Sequence, residues 1–123
     1  MFHFAYPLGK QSRRRTLPWI QSHFLSARVA GGGAETLPPA DWYMLKTFNV
    51  TPDLTAEDLL ARARRARDNN EWLILMFHKF TTESSATDPL IYPIDEFEKF
   101  CHGLVSIGLT THPIHEVYEA FHE

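Results

Sequence analysis

Trp72-Leu-Ile-Leu-Met-Phe77 is an unbroken run of apolar residues. Strand side chains point alternately to opposite faces, so a strand wetted on one face shows a period of two. A run without that alternation reads as a strand with both faces buried, as in a parallel sheet covered by helices. The run is also far short of the ~18 apolar residues that cross a bilayer, so no membrane span is expected.

The segments around it fit the same class. Phe2 to Tyr6 alternates like a half-buried strand that Pro7 and Gly9 terminate. Thr16-Leu17-Pro18 opens a helix with Trp19, Ile20, His23 and Phe24 on one face. Ala27 to Ala30 reads as a short strand, and Gly31-Gly32-Gly33 with Pro38-Pro39 brackets a loop. Met44 to Val50 is a further strand. Thr55 and Asp58 make a capping-box pattern for a helix that turns Leu59, Leu60, Ala63 and Ala66 inward and ends at Asn69-Asn70. Residues Thr81 to Pro93 read as a loop with a Ser84-Ser85 tip. Asp95 is the expected N-cap of a helix striped by Phe97, Phe100, Leu104, Val105 and Ile107, which Gly108 stops. Leu109 to Thr111 reads as a short strand, and Pro113 opens a last helix with Ile114, Val117, Tyr118 and Phe121 inward. Strands alternating with helices predict an α/β class with mostly parallel strands, and 123 residues fit one domain.

Composition narrows the partners. Twelve basic against fifteen acidic residues give a net charge of −3, which argues against nucleic acid. One cysteine, Cys101, rules out an internal disulfide framework and a multi-cysteine zinc site. The opening residues lack a charged lead-in, an apolar core and a cleavage site, so no signal peptide is expected.

In parallel α/β folds chemistry gathers at the C-terminal ends of strands. Here those ends are Pro7-Leu8-Gly9, Asn49 to Asp53, His78 to Phe80, and His112. His78 follows the apolar run directly. It is placed either as a general acid–base at a cleft rim or as a cap on the strand end. The turn at Leu8 either aims a backbone N–H at a developing oxyanion or simply ends the strand. Asp41 and Asp53 are carboxylates near strand ends. Trp42 can face a sugar ring or pack inward. Seven histidines invite a metal, but no H-x-x-x-H or H-E-x-x-H occurs. His112 and His115 are separated by Pro113 near a helix start. Arg13-Arg14-Arg15 reads as a solvated loop, because it has no interleaved aromatics. The triple glycine matches neither phosphate-binding glycine pattern.

Several of these features coincide in one family. Phe4-Ala-Tyr-Pro-Leu-Gly9 resembles the third motif of NodB-type polysaccharide deacetylases, and Trp72-Leu-Ile-Leu-Met-Phe-His78 is similar to their last. Ala27 to Gly33 followed by Leu37-Pro-Pro, Tyr92-Pro-Ile-Asp95-Glu-Phe97 and Gly108-Leu-Thr-Thr also look like the family. The resemblance covers nearly the whole chain. It implies the C-terminal part of a distorted (β/α) barrel, with residues 1–123 forming a single partial domain. It implies hydrolysis of N-acetyl or O-acetyl groups on a polysaccharide or oligosaccharide, with zinc or another divalent metal supplying the Lewis acid in the complete family domain. His78 would be the general acid and the Leu8 N–H the oxyanion donor. Tyr6, Pro7, Gly9, Trp42, Asp53, Leu73 and Leu75 would contact substrate, the two leucines forming part of the acetyl pocket.

The departures are as specific as the matches. The family's paired aspartates and H-x-x-x-H, which supply the base and the metal ligands, have no counterpart in this chain. Ala5 stands where the third motif carries Arg, and Leu8 where it carries an aromatic. For the family's fourth motif, Asp41-Trp42 matches the letters and Asp53 the position. The expectation is a chain that binds no metal and is inactive alone. It would pair as a homodimer or with a complementary N-terminal half, or serve as a non-catalytic carbohydrate-binding or interaction module. Family members are commonly exported; the compartment of this chain is left open.

Overall fold

The computed structural model describes residues 2–11, 15–82 and 88–123. Arg13, Arg14 and the Ser84-Ser85 tip lie outside the described residues.

Strand β1 (Phe2–Ala5) runs into a single 3₁₀ turn, Pro7–Gly9. Helix α1 (Leu17–His23) follows, with Pro18 in its first turn where a missing N–H costs nothing. Strand β2 is longer than its apolar core suggests, Phe24–Gly32. It takes in Phe24, expected on the helix, and two of the three glycines expected in the loop. Strands β3 (Glu35–Thr36) and β4 (Leu45–Asn49) come next, then helix α2 (Ala56–Asp68). The chain continues through β5 (Glu71–Trp72), β6 (Leu75–Met76), β7 (Lys79–Thr81) and β8 (Ile91–Pro93). Helices α3 (Ile94–Ser106) and α4 (Ile114–Ala120) complete it.

The principal sheet is parallel throughout, in the order β1-β2-β4-β6, and curls into a half-barrel. Two small ladders flank it, β3 antiparallel to β5 and β7 parallel to β8. The period of two sorts its side chains. On the convex face Phe4, Tyr6, Ala27 and Val29 pack with Ile20 of α1. Further along that face Phe48, Val50, Leu73, Leu75 and Phe77 pack under α2 and α3, around Leu59, Leu60, Ala63 and Phe100. The alternate positions, including Ser26, Arg28, Thr47, Met76 and His78, belong to the concave side.

Further expectations need correction, among them Val105, placed in the apolar stripe of its helix but 79% exposed. The run Trp72–Phe77 is not one doubly buried strand: Trp72 belongs to β5, Leu75–Met76 to β6, and every residue from 71 to 77 is only half-buried. The helices pack over Leu73, Leu75 and Phe77, while Met76 lines a cleft on the other face. Leu109 to Thr111 forms no strand, since it has no ladder partner among the described residues. The segment after His78 is not all loop, because β7 and β8 pair across it. Asp95 lies in the first turn of α3 and not at its N-cap, a place Pro93 takes with its preset φ. Asp95 keeps the favourable dipole position.

Candidate functional site

The C-terminal ends of β1, β2, β4 and β6 meet at a cleft of about 330 Å³. Its walls are Ala5, Tyr6, Leu8, Gly9, Arg28, Val29, Ala30, Thr47, Met76 and His78. The parallel sheet therefore brings His78 and the Leu8 turn together, although 70 positions separate them in the chain.

The turn is held by two backbone bonds. The Gly9 N–H donates to the Tyr6 carbonyl at 2.9 Å, and the Lys10 N–H to that of Pro7 at 3.4 Å. They leave Leu8 at φ 57°, a left-handed conformation uncommon for a branched side chain. Leu8 is 95% exposed, so side-chain packing does not compensate that strain. Gly9 is demanded by space as well as by its φ of 70°: a Cβ there would stand 2.1 Å from the Ala30 Cβ. Pro7 is exposed at the start of the turn. Tyr6 is buried, and its hydroxyl donates to the Tyr43 carbonyl at 2.9 Å and accepts from Gln11 Nε2 at 3.2 Å. Tyr6 thus borders the cleft while its hydroxyl is engaged inside the protein.

His78 is exposed at the rim, and its Nε2–H donates to Asn49 Oδ1 at 3.0 Å. That bond places a hydrogen on Nε2. Thr47 is buried and satisfied within the sheet, donating to the Val29 carbonyl and accepting from the Gly31 N–H, both at 2.9 Å. Arg28 is half-buried in the wall. Among the described residues, no carboxylate lines the cleft.

Other sequence candidates stand apart. Leu73 and Leu75 line a larger cavity of about 430 Å³ between α2, α3 and the segment after Gly108. The cause is parity: from His78, positions 76 and 74 share its face of the strand, while 75 and 73 face the helices. Trp42 packs in an aromatic group with Trp72, Tyr118, Phe121 and His122, before β4 begins. Asp53 accepts a hydrogen bond from the Thr51 hydroxyl, and Asp41 one from the Tyr43 N–H. His112 bonds to Glu116 at 2.9 Å. Arg28, Asn49 and Met76 were not assigned roles from sequence. Met76 follows from the parity of His78, and Asn49 from its place at a strand end. Arg28 follows only from strand register, where it pairs with Ala5 on one side and Leu45 on the other.

Among the described residues, no three His, Cys, Asp or Glu side chains come together to hold a metal ion. The described residues do not fit the divalent metal implied by the resemblance. The cleft can donate a proton from His78, offer the Leu8 N–H and attract an anion through Arg28. No family model matches the chain, and comparison with curated proteins and with solved structures finds no match either.

Proposed function

We propose that the chain is a polysaccharide-deacetylase-derived module that binds an acetylated saccharide at the His78 cleft and does not hydrolyse it unaided. The observation that carries the reading is the meeting of His78 and the Leu8 turn at the C-terminal ends of parallel strands. In a (β/α) barrel of that family the same two elements would flank the acetyl carbonyl. His78 would then donate a proton from Nδ1, and the Leu8 N–H would take up charge developing on the oxygen. Hydrolysis also needs a base for the attacking water, and among the described residues no carboxylate lines the cleft to provide one.

The test is to incubate the protein with a chitin oligomer, measure released acetate, and follow the His78 ring resonances by NMR. Binding without acetate release is expected. Acetate release together with stoichiometric zinc after dialysis would overturn the inactive reading. Absence of any saccharide-dependent change at His78 would overturn the binding reading.

A second reading rests on a separate observation. Strand β1 is an open edge of the sheet, and Phe2, Leu8 and Trp19 near it are exposed at 77%, 95% and 55%. That edge suits a second copy of this chain or a chain carrying the complementary N-terminal half.

A further inference from the structure

We propose that Arg28 is an anion-binding group of the His78 cleft and selects acetylated saccharides that carry a carboxylate. This rests on reading the cleft as a saccharide site and adds the class of sugar to it.

Several observations converge on Arg28. It is half-buried in the cleft wall on β2. The ion pairs found among the described residues join Arg67 to Asp68, Lys99 to Glu96, His112 to Glu116 and His115 to Glu119, and none involves Arg28. It lies near His3, being among the groups that hold the His3 imidazole below its usual pKa, after burial and His115. A guanidinium in a cleft wall with no ion-pair partner among the described residues is available to an anionic ligand.

The rest of the wall agrees. Thr47 and the Tyr6 hydroxyl spend their hydrogen bonds inside the protein. The lining also includes Arg28, His78 and the Leu8 turn. A guanidinium, an imidazole N–H and a backbone N–H all donate hydrogen bonds, so the matching ligand is rich in acceptors and negatively charged. A guanidinium fork fits a planar carboxylate bidentately. About 330 Å³ is near the lower limit of the roughly 300–1,000 Å³ of small-ligand sites, the scale of a single sugar unit.

Three probes separate the contributions: N-acetylglucosamine has the acetyl group alone, glucuronic acid the carboxylate alone, and N-acetylglucosaminuronic acid both. Each is titrated into wild-type protein, Arg28→Gln and Arg28→Lys, with backbone amide spectra checking the fold and His78 ring signals reporting binding. The expected result is tightest binding of the doubly substituted sugar. R28Q should weaken both carboxylate ligands about tenfold and leave N-acetylglucosamine unchanged. R28K, which keeps the charge and loses the fork, should fall between and carries the test if R28Q fails to fold. Equal binding of the neutral and acidic acetylated sugars, unaltered by either variant, would overturn the role of Arg28 while leaving the saccharide reading intact. Equal, Arg28-dependent binding of both acids, with none of N-acetylglucosamine, would support the anion site and overturn the acetyl reading. Failure of both acids to bind at all would overturn the proposal.

Discussion

A methyl group on Gly9 would fall 2.1 Å from the Ala30 Cβ, at a backbone φ of 70°. Gly9→Ala should therefore destabilise the fold by about 1–3 kcal/mol, through overpacking and left-handed strain together. Adding Ala30→Gly should return the steric part and leave the φ penalty, a split that urea unfolding of the two variants resolves. If the double variant is no more stable than the single one, the contact with Ala30 is not the cause. His78 gives a second prediction. Its Nε2–H bond to Asn49 selects one tautomer, so Asn49→Ala should turn a single-tautomer ¹⁵N imidazole pattern into a mixture. An unchanged pattern would show that something else orients the ring. His78 and the Leu8 turn are legible in sequence because each directly follows a strand. The role of Arg28 is not, because strand register depends on neighbours far along the chain.

Helix α2 is the element whose sequence and structure agree most closely. The Asp58 N–H donates to the Thr55 hydroxyl at 3.2 Å, and the Thr55 N–H to Asp58 Oδ2 at 2.9 Å, the reciprocal cap expected from the spacing. Thr55→Ala should cost about 1 kcal/mol in denaturant unfolding. Leu59, Leu60, Ala63 and Ala66 are buried as their helical spacing predicts. The run Trp72–Phe77 misleads because absence of alternation says nothing about where a strand changes partner. Docking of α4 onto β1 adds a pH dependence. His3 contacts Ser26 Oγ at 2.7 Å and His115 Nδ1 at 3.3 Å, and packs edge-on to Tyr118. Burial first, then His115 and Arg28, hold its pKa below 6.5. A base with a lowered pKa takes its proton more readily when unfolded. The unfolded state therefore binds more protons as pH falls below about 6.5, and stability drops. Thermal unfolding should shift downward from pH 7.5 to about 5.5 in wild type and less so in His3→Gln. Equal shifts in both proteins would remove His3 as the source.

At the scale of the whole molecule the surface is too large for its mass. A compact monomer of 14.2 kDa exposes about 6,800 Å², whereas this chain exposes 8074 Å². Part of the excess lies at the β1 edge, where Phe2 is 77% exposed, and on α1, where Trp19 is 55% exposed. From Phe2 to Ala5 the edge strand carries no Lys, Arg or Pro, the residues that usually deter edge-to-edge pairing. Two such sheets joined edge to edge would supply about eight parallel strands, the number at which side chains just fill a barrel interior. Concentration-dependent self-association is therefore expected in sedimentation velocity. Phe2→Lys and Trp19→Lys should each shift the protein toward monomer, because a desolvated charge at the edge opposes pairing. Neither residue lines the His78 cleft, so saccharide binding should survive both changes. A wild-type chain that stays monomeric across the concentration range would show that the open edge does not recruit a second copy. A complementary chain would then be the occupant to seek, by mixing the two and measuring the mass of the complex.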